Sequence, residues 1–219
     1  MNTKKIIDFL IKLNNNNSKE WFDANRKEYD EIKKYHIELV DEFITRISKF
    51  DDNVAALNAK QCIFRINRDI RFSNDKTPYK TNVGAYIIEG GKKDWRGGYY
   101  LHLEHNNSFI AAGLHLPQSD WLLKVRTSIS ERGDELMKLL NRPDHKKFFG
   151  EFKGEKLKSV PRNFDKDDKH IELIKLKSFD IMYCYDNESI FDTEGFINDA
   201  IEKFKILKPV NDFFNEAIK

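Results

Sequence analysis

Two runs of alternating side chains, separated by Asn106-Asn107, constrain the fold of this chain more than any other feature. The runs are YYLHLEH (residues 99–105) and SFIAAGLHL (residues 108–116). Asparagine tolerates the positive φ of a primed turn, so the spacing predicts a β-hairpin with a two-residue turn. One face of that hairpin is apolar and belongs to the core. It carries Tyr99, Leu101, Leu103, Ile110, Ala112 and Leu114.

The opposite face of the predicted hairpin is polar and has room above it. It carries Tyr100, His102, Glu104, Phe109, Ala111, Gly113 and His115. A histidine beside small residues and aromatic rings is typical of the floor of a ligand site, but also of a sheet face covered by a helix. The sequence leaves both interpretations open.

Helical spacing of apolar residues marks both ends of the chain. Near the N-terminus it involves Ile6, Ile7, Phe9, Leu10 and Leu13, and the asparagine run 14–17 ends this first helix. Ser18 then has the chemistry of an N-cap. Near the C-terminus, the spacing predicts two closing helices that are split near Pro209.

The pattern therefore predicts an α+β fold in a single domain, residues 1–219. Residues 1–50 are helical, and residues 60–116 are rich in strands. The C-terminal part is helical, with one more strand near 178–185. We expect a mainly antiparallel sheet of about five strands, the first of them within residues 64–72, with the helices of both chain ends packed on it.

The charge balance excludes a global electrostatic field. Lys and Arg number 38 against 36 Asp and Glu, for a net charge of +2, so any anion binding must come from a local cluster. No apolar run approaches a membrane span, and the N-terminus is too charged for a signal peptide. The only cysteines, Cys62 and Cys184, are expected to be buried thiols. We therefore expect a cytoplasmic protein without membrane contact. The sequence does not indicate its oligomeric state.

One local cluster stands out, FRINRDIRFSNDKTPYK at residues 64–80, here called the basic segment. If its first half is extended, Phe64, Ile66, Ile70 and Phe72 lie on one side, and Arg65, Asn67, Asp69 and Arg71 lie about 7 Å apart on the other. Its second half is a loop, because Pro78 disfavours helix at the residue before it. Long loops of this kind tend to be functional.

Arginine suits bidentate contact with phosphate or carboxylate, so the basic segment predicts a site for an anionic small molecule. The expected ligand-binding residues are Arg65, Asn67, Arg68, Arg71, Asp75, Lys76, Tyr79, Lys80 and Tyr100. If the site is catalytic, then Asp69, His102 and Tyr79 are the candidate acid–base groups by residue type. No P-loop, GxSxG or HExxH motif is present.

Metal chemistry has little support in the sequence. His102 and His115 share a face but lie roughly 13 Å apart along a strand, which is too far for one zinc ion. No CxxC or HxxxH pair occurs. We therefore predict no cofactor and no transition metal, and leave Mg²⁺ on Asp69 or Asp75 as the weaker option.

Four stretches of the chain resemble a bacterial and fungal family known as domain of unknown function 2461. They are IFRINRDIRFSNDKTPYKTN, GGYYLHLE, SFIAAGLHLP and VPRNFDKD, and the start of the chain and the LKSF segment fit as well. The resemblance implies a single-domain, soluble protein without an assigned activity. It also implies a signature at Arg65, Arg68, Asp69, Arg71, Phe72, Asp75, Lys76, Pro78, Tyr79 and Lys80. The chain departs from the family at His115, where another aromatic is frequent.

Three functions fit these features. The first is a site for a small phosphate-bearing ligand, with turnover of a phosphorylated substrate as its enzymatic form. The second is a nucleic-acid-binding module in which Tyr79, Trp95 or Tyr99 stacks on bases, although the near-neutral net charge speaks against an extended footprint. The third is a structural domain whose basic segment forms an internal salt-bridge network with its own aspartates.

Overall fold

Nine α-helices, one 3₁₀ turn and four β-strands make up the fold, in a computed structural model that describes residues 1–219. The helices are α1 Thr3–Asn15, α2 Lys19–Ala24, α3 Arg26–Ile47, α4 Ala59–Cys62, α5 Ser119–Leu140, α6 Pro143–Phe148, α7 Ile171–Ile174, α8 Asn187–Phe191 and α9 Thr193–Ile218. The strands are β1 Asn82–Ile87, β2 Gly98–Glu104, β3 Ser108–Leu114 and β4 Phe179–Tyr185, and the 3₁₀ turn is Asp52–Val54. The predicted α+β class is confirmed.

The N-terminal helices form as their sequence pattern predicts. The apolar side chains of α1 are all buried: Ile6, Ile7, Phe9, Leu10 and Leu13. Helix α1 ends at Asn15, within the asparagine run, and the Ser18 side chain caps α2 by accepting a hydrogen bond from the Trp21 amide at 3.2 Å. These helices bury one apolar face and leave their charged faces in solvent.

The sheet has the strand order β1-β2-β3-β4, so consecutive strands are neighbours. The alternation predicted for the hairpin is confirmed, because all six residues of its apolar face are buried: Tyr99, Leu101, Leu103, Ile110, Ala112 and Leu114. The period of two therefore fixes which side chains of β2 remain on the polar face.

The turn between β2 and β3 lies one residue earlier than predicted. The Asn107 amide donates to the Glu104 carbonyl at 3.2 Å, and Asn106 adopts the left-handed conformation with φ 57°. The central residues are therefore His105 and Asn106, and the predicted turn at Asn106-Asn107 is wrong. A shift of one residue in the turn moves each cross-strand partner by two positions, so both faces of the hairpin keep their composition.

The first of the five predicted strands does not form. Residues 64–72 contribute only an isolated bridge at Asn67, and the sheet has four strands. Of the supposed apolar side, Ile66 is buried but Phe72 is almost fully exposed. The chain turns away from the sheet after Asn67 because it pairs with its own continuation, as described below.

Helix α9 runs without a break from Thr193 to Ile218 and contains Pro209, so the predicted split is wrong. A proline inside a helix removes one backbone hydrogen bond. On either side of it, Leu207, Val210, Phe213 and Phe214 are buried in one apolar cluster. Burial of these large side chains on both sides outweighs the loss of one hydrogen bond.

The chain divides into two compact units. Unit 1 comprises Met1–Lys92, Tyr100–Ile110 and Cys184–Glu202, and unit 2 comprises Lys93–Tyr99, Ala111–Tyr183 and Lys203–Lys219. The single-domain organisation stays a prediction. The basic segment, together with Tyr100, His102 and Glu104, lies entirely within unit 1.

Two further expectations concerned membrane contact and the burial of both cysteines. No helix is both long and apolar enough to cross a membrane. Cys62 is buried, and burial raises the pKa of its thiol to about 11. Cys184 is exposed, so the expectation of two buried thiols is wrong for this residue. It lies near the end of β4, where the alternation places it on the outer side of the strand.

Candidate functional site

The basic segment folds back on itself through backbone pairing. The Lys80 amide donates to the Ile66 carbonyl at 2.8 Å, and Asn67 forms an antiparallel bridge with Tyr79. The backbone of Asn67 thus takes part in the pairing that reverses the chain direction within the segment. We call the paired ends, residues 64–67 and 79–80, the base of the segment, and residues 68–78 between them its tip.

The tip is closed by a small polar network around Asp75. Arg68 donates from Nη1 to Asp75 Oδ2 and to the Thr77 hydroxyl, the latter at 2.6 Å. Asp75 Oδ1 accepts the Thr77 amide at 2.9 Å and the Thr77 hydroxyl at 2.8 Å. These hydrogen bonds, those from Thr77 first and then that from Arg68, lower the pKa of Asp75 to about 2.

The other cations of the tip also have partners inside the protein. Arg71 binds Asp69 with two side-chain hydrogen bonds, Nε to Oδ1 at 2.9 Å and Nη2 to Oδ2 at 2.6 Å, and thereby lowers the pKa of that carboxyl. Lys76 Nζ donates to the Ile70 carbonyl at 3.0 Å. The Arg71 side chain is 75% exposed, so this pair is a surface ion pair of small energetic weight.

The two cations of the base, Arg65 and Lys80, are arranged differently. Neither forms a salt bridge with a carboxylate, whereas Arg68 and Arg71 each have one. The Arg71 hydrogen bonds are the main cause of the lowered pKa of Asp69, burial opposes them, and Arg65 adds a smaller electrostatic effect that lowers it further. The base therefore carries two positive charges that the protein does not pair.

Lys80 is half-buried and lies over an aromatic ring. Its Nζ lies 5.7 Å from the centre of the Phe64 ring. Burial, followed by repulsion from Arg65, lowers the pKa of the Lys80 amine. Lys80 in turn contributes to the lowered pKa of His102 on strand β2. Arg65 thus acts electrostatically on Lys80, and Lys80 on His102.

Tyr79 anchors the base in the core of unit 1. Its ring is 6% exposed and stacks on Phe22, with ring centres 3.9 Å apart and planes at 15°. Its backbone is held by the Asn17 side chain, which donates to the Tyr79 carbonyl at 3.0 Å and accepts from the Tyr79 amide at 3.1 Å. Tyr79 therefore positions the base through packing.

The polar face of β2 carries a continuous series of hydrogen bonds. The Tyr100 hydroxyl lies 3.0 Å from His102 Nδ1, and His102 Nε2 lies 3.3 Å from Glu104 Oε2. The three residues are spaced by two along one strand, so their side chains emerge on the same face. The ring of Phe109 stacks on His102 with centres 4.5 Å apart and planes at 12°.

The titration of these three groups reflects partial burial. Burial raises the pKa of Tyr100 to about 12 and lowers the pKa of His102, although Glu104 opposes the shift of the imidazole. Burial alone would raise the pKa of Glu104, but hydrogen bonds from Asn107, Thr81 and His102 together outweigh it and lower that pKa. At neutral pH the series holds a phenol, a neutral imidazole and a carboxylate.

The structure thus separates the residues that the sequence grouped as one site. It leaves Arg65 and Lys80, on the two paired ends of the base, without a carboxylate partner, and it ties Tyr100 to His102. It assigns Arg68, Asp75, Arg71 and Lys76 to bonds within the tip. Sequence reasoning missed Glu104 as the partner of His102. The signal for it was present, because the alternation had already placed both residues on one face.

Metal-binding residues are not clustered anywhere in the chain. No group of three or more His, Cys, Asp or Glu side chains could hold a metal ion. Asp69 and Asp75, the residues considered for Mg²⁺, are each bonded to an arginine of the tip. The anionic and cationic side chains of the tip thus already satisfy one another.

These elements define the class of the protein. It is an α+β fold with helices at both chain ends, a four-stranded sheet and a basic segment that pairs with itself. The chain belongs to the family described as conserved hypothetical protein (DUF2461), whose model matches residues 5–213. The resemblance seen in the sequence is therefore confirmed over nearly the whole chain. No curated protein and no solved structure matches the chain.

Proposed function

We propose that unit 1 binds a small phosphate-bearing anion at Arg65 and Lys80, next to the polar face of β2. The observation that carries the proposal is the presence of two neighbouring cations without a carboxylate partner, one of them half-buried. A half-buried cation beside a like charge is unfavourable until an anion neutralises both. Phosphate offers enough acceptor oxygens for a bidentate arginine and an ammonium together.

The surroundings of the two cations favour a small ligand. Tyr100 and His102 offer a hydroxyl and an imidazole beside Lys80, groups that can hydrogen-bond to the body of a ligand. The proposed site therefore contains two of the five cations that the sequence suggested. Arg68, Asp75 and Tyr79 support it by shaping the segment.

The nucleic-acid interpretation has lost part of its basis. The rings of Tyr79 and Tyr99 are buried, so neither offers a free face for a base. Of the aromatics considered for stacking, Trp95 alone is exposed. The salt-bridge interpretation describes the tip, where Arg68 and Arg71 pair with aspartates, but it leaves the two cations of the base without a role.

The test is binding of inorganic pyrophosphate, measured by calorimetry and by thermal unfolding. We expect pyrophosphate to bind and stabilise the native chain, and the double variant Arg65→Met/Lys80→Met to lose at least about tenfold in affinity. The matched control is Arg162→Met/Lys166→Met, which removes the same charge from exposed positions of unit 2. An equal loss of affinity in the control, or no binding by the native chain, would refute the proposal.

A further inference from the structure

Strand β2 holds a hydroxyl, an imidazole and a carboxylate in sequence on one face. Tyr100, His102 and Glu104 are linked by contacts of 3.0 Å and 3.3 Å. An activated hydroxyl in enzymes has this order of groups: the hydroxyl bonds to a base, and the base is oriented by a third group. The series here arises within five consecutive residues of one strand, since side chains spaced by two share a face.

The environment of Glu104 decides which nitrogen of His102 carries the proton. Glu104 accepts hydrogen bonds from the Thr81 hydroxyl at 2.9 Å and from the Asn107 amide group at 2.7 Å. Two such donors stabilise the carboxylate, which can then only accept from His102 Nε2. The proton therefore lies on Nε2, and Nδ1 presents its lone pair to the Tyr100 hydroxyl.

Neighbouring side chains hold this order rigidly. Phe109 stacks against the His102 ring, and Phe64 meets the Tyr100 ring edge-on with centres 6.3 Å apart. A Cβ at Gly84 would lie only 2.8 Å from the Tyr100 hydroxyl oxygen, so a glycine on β1 leaves the space that this hydroxyl needs. Packing thus fixes both ends of the hydrogen bond between Tyr100 and His102.

We infer that Tyr100 accepts a hydroxyl proton from the phosphate-bearing ligand while its own proton passes to His102 Nδ1. This inference rests on the proposed function, because it uses the anion at Arg65 and Lys80 to bring the ligand to Tyr100. One O–H bond of the ligand breaks, its electron pair stays on the ligand oxygen as an alkoxide, and one O–H bond of Tyr100 forms. At the same time the original Tyr100 O–H bond breaks and an N–H bond forms at His102. The resulting imidazolium is stabilised by Glu104, and reversal of the two transfers restores the resting state.

The charged groups around His102 set the direction of this relay. Glu104 favours the imidazolium, and Lys80, which itself lies near Arg65, disfavours it. An anion bound by the two cations would offset the effect of Lys80 and raise the pKa of His102. In this scheme Tyr100 is the catalytic residue, and His102 and Glu104 are positioning residues that act through it.

The first test reads the tautomer of His102 in the free protein by ¹⁵N NMR of the histidine side chains. We expect the proton on Nε2 in the native chain. In Glu104→Gln we expect the proton to move to Nδ1, because the amide can donate to Nε2. His36, which is buried and has no hydrogen-bond partner at Nε2, should keep its spectrum and serves as the internal control. A native His102 protonated at Nδ1 would overturn the relay.

The second test adds inorganic pyrophosphate and follows the pKa of His102. We expect the pKa to rise on binding by on the order of one unit in the native chain, and not at all in Arg65→Met/Lys80→Met. Binding without any change at His102 would refute the relay while leaving the proposed function intact. Failure of pyrophosphate to bind would refute the proposed function, and with it the role of Tyr100 toward that ligand.

Discussion

The base and the tip of the basic segment both contain arginine and lysine, but these cations have different partners in the two parts. At the tip, Arg68 and Arg71 are each bonded to an aspartate two to seven residues away. At the base, Arg65 and Lys80 have no carboxylate partner, and Tyr79, which precedes Lys80, is packed in the core. The comparison teaches that a run of cations can contain both a self-neutralised loop and cations without a carboxylate partner.

The largest expected difference between base and tip concerns their aromatic residues. Tyr79→Ala removes a ring stacked on Phe22, so we expect a loss of about 3–5 kcal/mol in the free energy of unfolding. Phe72 is 95% exposed at the tip, and Phe72→Ala should change the same quantity by less than about 0.5 kcal/mol. Urea unfolding followed by tryptophan fluorescence measures both. Equal losses would mean that the tip is packed in solution.

The second difference concerns the lysines. Lys80→Met should weaken pyrophosphate binding by about tenfold, because a half-buried charge at the proposed site is lost. Lys76→Met removes a lysine that is bonded to the Ile70 carbonyl at the tip, and it should leave the affinity within about twofold. Calorimetric titration of both variants with pyrophosphate measures the two affinities. If Lys76→Met is the more damaging change, then the anion binds at the tip.

The third difference lies within the tip itself. Arg68 donates to both Asp75 and Thr77, whereas Arg71 forms an exposed pair with its near neighbour Asp69. Arg68→Met should therefore speed hydrogen exchange at the Thr77 amide several-fold, and Arg71→Met should leave it unchanged. NMR of the backbone amides provides the measurement. Similar exchange in the two variants would show that Arg68 does not order the loop.

The smallest expected effect is an acid transition confined to the tip. The pKa of Asp75 is lowered from 3.8 to about 2 in the folded chain. At any pH above the ordinary pKa, the Asp75 carboxylate therefore stabilises the folded loop. That contribution is lost as the pH falls from 3.8 through about 2. The Thr77 amide resonance should report the transition, and Asp75→Asn should abolish it. A transition that persists in Asp75→Asn would have to come from another carboxyl.

Local periodicity explains why much of the fold was predictable. The alternation around His102 placed six core residues correctly, and the spacing of Ile6 to Leu13 predicted a helix that forms. Such patterns depend on neighbours within one element, so they survive the shift of the hairpin turn by one residue. The same reasoning failed at residues 64–72, because the chain there pairs with its own continuation.

The candidate site was predictable only in its residue types. Which aspartate neutralises which arginine depends on the path of the loop, and this path is set by backbone pairing between Ile66 and Lys80. The burial of Tyr79 depends on Phe22, which is distant in sequence. A tyrosine after a proline in a polar loop indicates exposure, and only packing between separate elements reverses that expectation.

The contact between Asn17 and Tyr79 requires an asparagine side chain at position 17, a requirement that the other three positions of the NNNN run do not share. Its amide side chain both donates to and accepts from the same backbone unit, as a neighbouring strand would. A carboxylate of the same shape offers no donor, and a hydroxyl is too short to span both groups. Hydrolysis of this single amide to aspartate during protein ageing would therefore set two oxygens against each other and release the base of the segment from helix α2's neighbourhood.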